Sequence, residues 1–173
     1  MSNSEKALPT VWLVIGDKGG DNAQITMISN ALAIPVVTKT VLPKAKFVLG
    51  KPFFRPSVAH LDLDRSDPLT EPWPDLILTI GRRPAMAALW IQKKSPKNTR
   101  IVLLGRPKRY LRRFSLIIAA SQYQVPDDPR IINLNLPLFT VNKSDIAAQG
   151  QAWKPRFDAL PRPTVALMVG GKT

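Results

Sequence analysis

Three short stretches of the chain carry residue types that could do chemistry together. The first is Gly16-Asp-Lys-Gly-Gly-Asp-Asn22, directly after the apolar run Val11–Ile15. Glycines there let the backbone approach a ligand, and a helix that follows offers unpaired N–H groups to an anion or a polar sugar. Gly19, Gly20, Asn22 and Gln24 are therefore candidate ligand contacts. A carboxylate of Asp17 or Asp21 could act as general base for a hydroxyl acceptor. The plainer reading is a tight strand-to-helix turn with Asn22 as N-cap and the acids complementing the helix dipole. The spacing is not G-x-G-x-x-G, so no dinucleotide fingerprint is present and no cofactor is expected.

The second stretch, Gly81-Arg82-Arg83-Pro84, sets two arginines between an expected strand end and a helix start, where guanidinium and helix dipole together favour an anion. The third, Gly105 to Arg113, carries Arg106, Lys108, Arg109, Arg112 and Arg113 within nine residues. Such a loop could contact phosphate, lipid headgroups or nucleic acid. The C-terminal Ala166-Leu-Met-Val-Gly-Gly-Lys-Thr173 meets a relaxed P-loop spacing. The supposed loop there is itself strand-like, so the match carries no phosphate site.

These loops sit in an unusually basic chain. Lysine and arginine number 25 against 12 acids, a formal charge of +13. Eleven of the cations fall between Arg82 and Arg113 with no acid among them. Five more, Lys39, Lys44, Lys46, Lys51 and Arg55, lie in another acid-free stretch that also holds Phe47, Phe53 and Phe54. Long single-sign runs repel themselves unless an anion relieves them. Lys44, Lys46, Phe53, Phe54, Arg55, Lys108, Arg109, Arg112 and Arg113 therefore form a candidate anionic or membrane surface. With no cysteine, thiolate catalysis and cysteine zinc sites are excluded. The single histidine, His60, excludes a multi-histidine metal site, so no metal is expected; it reads as structural. No apolar run approaches the ~20 residues that span a bilayer.

The elements that would position these residues can be read from the apolar pattern. Val11–Ile15, Val36–Thr38, Asp75–Ile80, Arg100–Leu104, Phe114–Ala119, Arg130–Leu134 and Thr164–Val169 read as strands, with a further short strand near Ala59–Leu63. Ala23–Ala33, the stretch from Pro84 to Lys94, and Ser144–Trp153 read as helices. Strands that are apolar throughout, alternating with helices, predict an α/β, three-layer Rossmann-like domain with a mostly parallel sheet. Ligands of such sheets bind at the carboxyl ends of the strands, where all three loops fall.

The segments Gly16–Gln24, Pro74-Asp-Leu-Ile-Leu-Thr-Ile-Gly-Arg-Arg83 and Leu160-Pro-Arg-Pro-Thr-Val-Ala-Leu-Met-Val-Gly-Gly171 together resemble the N-terminal half of the mitochondrial-fission "elongated mitochondria" family. The similarity runs from about Val11 to Gly171. That family is similar to glycosyltransferases of the two-Rossmann-domain (GT-B) type. The resemblance implies a tail over 1–10, an N-terminal, acceptor-binding Rossmann-like domain over 11–160, and a linker with the first strand of a further domain over 161–173. It implies that Gly19, Gly20, Asn22 and Gln24 match the acceptor-side glycine loop and that Arg82 and Arg83, next to the candidate ligand contact Gly81, match the second strand-end loop. The chain is then expected to be incomplete as an enzyme alone, either a truncated product or an N-terminal half encoded separately whose nucleotide-sugar-binding half is a partner chain. Expected partners are a phosphate-bearing or lipid-linked acceptor and an anionic membrane surface, with the protein cytoplasmic and peripheral on the inner face of the membrane. The alternatives are a basic nucleic-acid-binding module and a non-catalytic scaffold. Against nucleic acid, only Trp90, Tyr110 and Phe114 could stack on bases within the basic stretch, and two of them, Trp90 and Phe114, are more easily placed in the core.

Overall fold

A computed structural model describes residues 8–48, 55–139 and 141–167. The chain divides into two compact units, Met1–Leu138 and Phe139–Thr173. The first is built from β1 (Val11–Ile15), α1 (Gly19–Ala31), β2 (Val36–Thr40), β3 (Leu76–Ile80), α2 (Arg82–Lys94), β4 (Arg100–Leu104), β5 (Leu116–Ala120) and β6 (Ile131–Leu134). All six strands pair in parallel in the order β2-β1-β3-β4-β5-β6. This is the expected α/β Rossmann-like architecture, with helices on both faces of the sheet.

The layering follows from the alternation of side chains along each strand. Trp12, Val14, Ile77, Ile101, Leu103 and Ile117 share one core cluster with Ala85, Ala88, Leu89 and Ile91 of α2. Val11, Leu13, Leu78, Ile80 and Leu104 point the other way and pack with Ile25 of α1. Both faces are apolar, which is why the strands read as unbroken hydrophobic runs. Thr79 is fully buried on β3, and its hydroxyl donates to the Val14 carbonyl at 2.8 Å, so the one polar side chain in that strand is satisfied.

Several boundaries differ from the sequence pattern. Helix α1 begins at Gly19, not Ala23. The Asn22 amide donates to the Lys18 carbonyl at 2.9 Å, so the glycine-rich stretch forms the first helical turn. Lys18, with no side-chain cap, is the N-cap in place of Asn22. Near Ala59–Leu63 the only pairing among the described residues is a single bridge, Pro43 with Leu61. Phe114 precedes β5; it is buried at the end of a 3-10 turn, Leu111–Arg113. The connections β4–β5 and β5–β6 carry 3-10 turns where a doubly wound fold would place helices. Loop side chains therefore stand beside the carboxyl ends of β4 and β5.

The second unit holds α3 (Lys143–Asp158), capped by Asn142, whose side chain accepts from the amides of Ser144 and Asp145. The helix runs five residues past the expected end at Trp153 and includes Pro155. The Trp153–Phe157 ring contact, with centroids 6.1 Å apart, and the Lys154–Asp158 pair at 2.6 Å both span that proline. Thr164–Leu167, the described part of the last expected strand, is not in a strand, and 168–173 lie outside the described residues. No helix among the described residues is long and apolar enough to cross a membrane.

Candidate binding site at the carboxyl edge of the sheet

The sheet order reverses at β1, which pairs β2 on one side and β3 on the other. Loops leaving adjacent strands diverge there and open a crevice. A cavity of about 530 Å³ lies at this edge, reaching from the start of α2 across the ends of β4 and β5. Its depth is set by buried apolar side chains, among them Ile80, Leu103, Leu104 and Phe114. Met86 of α2 and Leu138 after β6 complete the apolar wall. Arg82, Arg106, Lys108 and Arg109 also line it; Arg106, Lys108 and Arg109 are solvent-exposed, so the cations form the rim. Asp21 and Gln24 reach it from α1, and Tyr110 and Tyr123 from the two loops.

Local backbone geometry puts the rim in place. Gly81 has φ of +82° and Gly105 φ of +107°, a region open to glycine and strained for other residues. Each lets the chain turn off a strand within one residue, β3 into α2 and β4 into the basic loop. Tyr110 also adopts a left-handed conformation, φ +61°, and its carbonyl accepts the Arg113 amide at 2.8 Å. The Arg106 guanidinium donates to the Tyr123 carbonyl at 2.9 Å and so joins the loop after β4 to the loop after β5. Asp21 abuts Gly81: a Cβ there would lie 3.5 Å from Asp21 Oδ2. One carboxylate thus faces the start of α2 beside Arg82, within the cavity lining.

The fold brings together Asp21, Gln24, Gly81, Arg82, Arg106, Lys108 and Arg109. It places other candidates elsewhere. Gly19 and Gly20 are exposed on the first turn of α1, with open space around them. The Asn22 amide donates to the Gly16 carbonyl at 2.9 Å and fixes the turn after β1. Arg83 turns away from the cavity. Its Nη2 donates to the carbonyls of Phe47 and Val48 at 2.6 and 2.7 Å, and its Nη1 lies 3.7 Å from Asp17 Oδ1. It pins the 3-10 turn Ala45–Phe47 to the start of α2 and occupies Asp17 as well. His60, buried as a structural histidine, lies with Nε2 3.1 Å from the Arg83 carbonyl, and burial holds its pKa below the usual 6.5.

The expected anionic surface is likewise divided. Lys44 donates to the Ala59 carbonyl at 3.1 Å, and Lys46 lies over the Phe47 ring. Arg55 is exposed, while Phe53 and Phe54 lie outside the described residues. Arg113 donates from Nε and Nη2 to Gln92 Oε1 at 3.2 and 3.0 Å, and Gln92 in turn donates to the Thr99 carbonyl. This ties Arg113 to the end of α2 and the start of β4, the edge opposite the cavity, and Arg112 adjoins it in the same 3-10 turn. There Arg130 holds the Asp128 carboxyl down at about 2, through hydrogen bonds from its side chain and backbone. Trp90 and Phe114 pack in the core, as their apolar surroundings in the sequence suggest. Sequence reasoning missed Met86, Tyr123 and Leu138 as lining residues, and weighed Tyr110 only as a stacking group. The αL turn at Tyr110 brings its ring to the cavity, and no spacing rule announces that.

A family model described as mitochondrial fission ELM1 matches residues 19–173, from the first turn of α1 onward and through every rim residue. The chain belongs to the mitochondrial fission ELM1 family. No curated protein and no solved structure matches the chain. Within the part shared with the mitochondrial fission ELM1 family lie both positive-φ glycine turns and the basic loop that closes over the cavity.

Proposed function

We propose that the first unit is the acceptor-binding part of a glycosyltransferase-like enzyme of GT-B type, and that the cavity holds a phosphate-bearing or lipid-linked acceptor. The observation that carries this reading is the rim: four cations, Arg82 from the first turn of α2 and three from the loop after β4, around one concavity at the carboxyl edge of a parallel sheet. Guanidinium groups bind phosphate through paired, charge-assisted hydrogen bonds. Arg82 and Arg106 take the phosphate in this reading, with Lys108 and Arg109 neutralising its outer oxygens. Asp21 is the one carboxylate of the lining and is the general base for an acceptor hydroxyl. The nucleotide-sugar side is supplied by a second Rossmann-like half. A lipid-linked acceptor would hold the protein peripherally on the cytoplasmic face of a membrane, with Lys44, Lys46 and Arg55 adding contacts to anionic lipid.

Equilibrium binding of phosphate monoesters to the 173-residue chain tests this, with Arg82→Ala and Arg106→Ala beside it. One saturable site is expected, weakened about tenfold or more in each variant, the effect of losing a charge-assisted hydrogen bond. Equal binding in all three proteins would show that the phosphate sits elsewhere.

A further inference from the structure

We infer that the ligand of this cavity is an alkyl or isoprenyl phosphate, with its anionic head at the arginine rim and its hydrocarbon chain along the cavity floor. The inference rests on the acceptor reading and narrows it to one chemical class. The deep lining consists of Ile80, Leu103, Leu104 and Phe114, each no more than 6% exposed, with Met86 and Leu138 beside them. None of these side chains can donate or accept a hydrogen bond. A sugar or nucleobase lying against these six would leave its polar groups unpaired on that side, and the polar side chains of the lining, Gln24, Gln122, Tyr110 and Tyr123, are left to meet the polar head. A free phosphate would reach only the rim and leave the floor wet. The charge is equally one-sided, with four cations against the single carboxylate of Asp21. A cavity of about 530 Å³ is within the size range that encloses most of a small ligand's surface, so the chain as well as the head can be covered.

A chain-length series separates this ligand from the others. Methyl, butyl, hexyl and octyl phosphate, each below its aggregation concentration, are titrated calorimetrically into the full chain, with octanol, inorganic phosphate and adenosine monophosphate alongside. Affinity is expected to rise by up to roughly fourfold per methylene until the floor is filled. Octanol and inorganic phosphate should each bind at least tenfold more weakly than octyl phosphate. Arg106→Ala should weaken every ester by one common factor and leave the chain-length slope intact. Met86→Glu should flatten the slope, and Leu138→Asp repeats that test at a second apolar lining residue should Met86→Glu lower the melting temperature. A flat series, or adenosine monophosphate binding more tightly than octyl phosphate, overturns the hydrocarbon-chain proposal while leaving an acceptor cavity in place. Octanol binding as tightly as octyl phosphate overturns the role of the anionic head. No binding by any phosphate ester removes both this inference and the acceptor reading.

Discussion

The two ends of the sheet draw their cations from the same stretch of sequence and use them differently. At the carboxyl end Arg82, Arg106, Lys108 and Arg109 ring an apolar cavity. At the amino end Lys97 pairs with Asp75 at 3.0 Å, and Arg113 is held by Gln92. Lys93 and Lys94 sit in the last turn of α2, where lysine complements the negative pole of the helix. Eleven cations without an acid look like one feature in the sequence. The chain, however, crosses the sheet from edge to edge three times within that stretch, along α2, back along β4, and again through the basic loop that leads to β5. Five residues of strand span about 17 Å, so neighbours in the run become separate sites. One end sets its cations beside hydrocarbon, with Arg106 also holding the Tyr123 carbonyl, and at the other Lys97 and Arg113 are held by side chains of the protein itself.

That contrast can be broken most directly by charge reversal. The double variant Arg82→Glu with Arg106→Glu should weaken phosphate-ester binding at least about a hundredfold, two charge-assisted contacts being replaced by repulsion. Lys93→Glu with Lys94→Glu should change it by less than about twofold at physiological salt, since these charges lie beyond a Debye length of about 8 Å from the rim. Equal losses by calorimetry would mean that the overall field binds the anion and the cavity does not.

Arg83 sharpens the comparison within a single dipeptide. It adjoins Arg82 but serves the fold, so Arg83→Ala should cost about 2 kcal/mol of stability in urea unfolding, from the hydrogen bonds to the Phe47 and Val48 carbonyls and the packing of a largely buried guanidinium. Phosphate-ester affinity should move by less than about threefold. A variant of unchanged stability that no longer binds the ester would put Arg83 in the site.

His60 gives a smaller, pH-dependent effect. Burial lowers its folded-state pKa below 6.5, so the unfolded chain takes up the proton first. Stability from this residue is complete above pH 6.5 and declines as pH falls below it. The native chain should therefore lose more stability between pH 7 and pH 5 than His60→Gln does, measured by urea midpoints. Asp128 acts in a separate window. Its contribution is present above its ordinary value of 3.8 and is lost as pH falls toward about 2. Smallest of all is Lys97→Ala. Both partners of its pair with Asp75 are 42% exposed, and the change should be at most about 0.5 kcal/mol.

The sheet was largely legible because its central strands β1, β3 and β5 are compact apolar runs and β4 is one after Arg100. Arg100–Leu104 matches β4 residue for residue, and Val11–Ile15 matches β1. The start of α1 was not legible. Gly19 and Gly20 carry turn chemistry locally, and only the closing bond to Lys18 shows them to be helical. For the candidate site, the strand-end rule located the loops but not the direction of their side chains. Arg82 and Arg83 are equivalent in sequence, and the carbonyls of Phe47 and Val48 decide between them. The apolar floor was invisible as a site because Leu103, Leu104 and Phe114 read only as core. They are core, and the missing helix after β4 leaves one end of that core open.

The most direct test of the cavity as the anion site is amide chemical-shift mapping of the chain titrated with octyl phosphate. The largest shifts should fall on Gly81, Arg82, Gly105, Arg106, Tyr110 and Tyr123, with Lys93, Lys94, Arg100 and Arg112 unmoved. Shifts centred on the amino-end cations, with the Gly81 and Gly105 turns silent, would contradict the account.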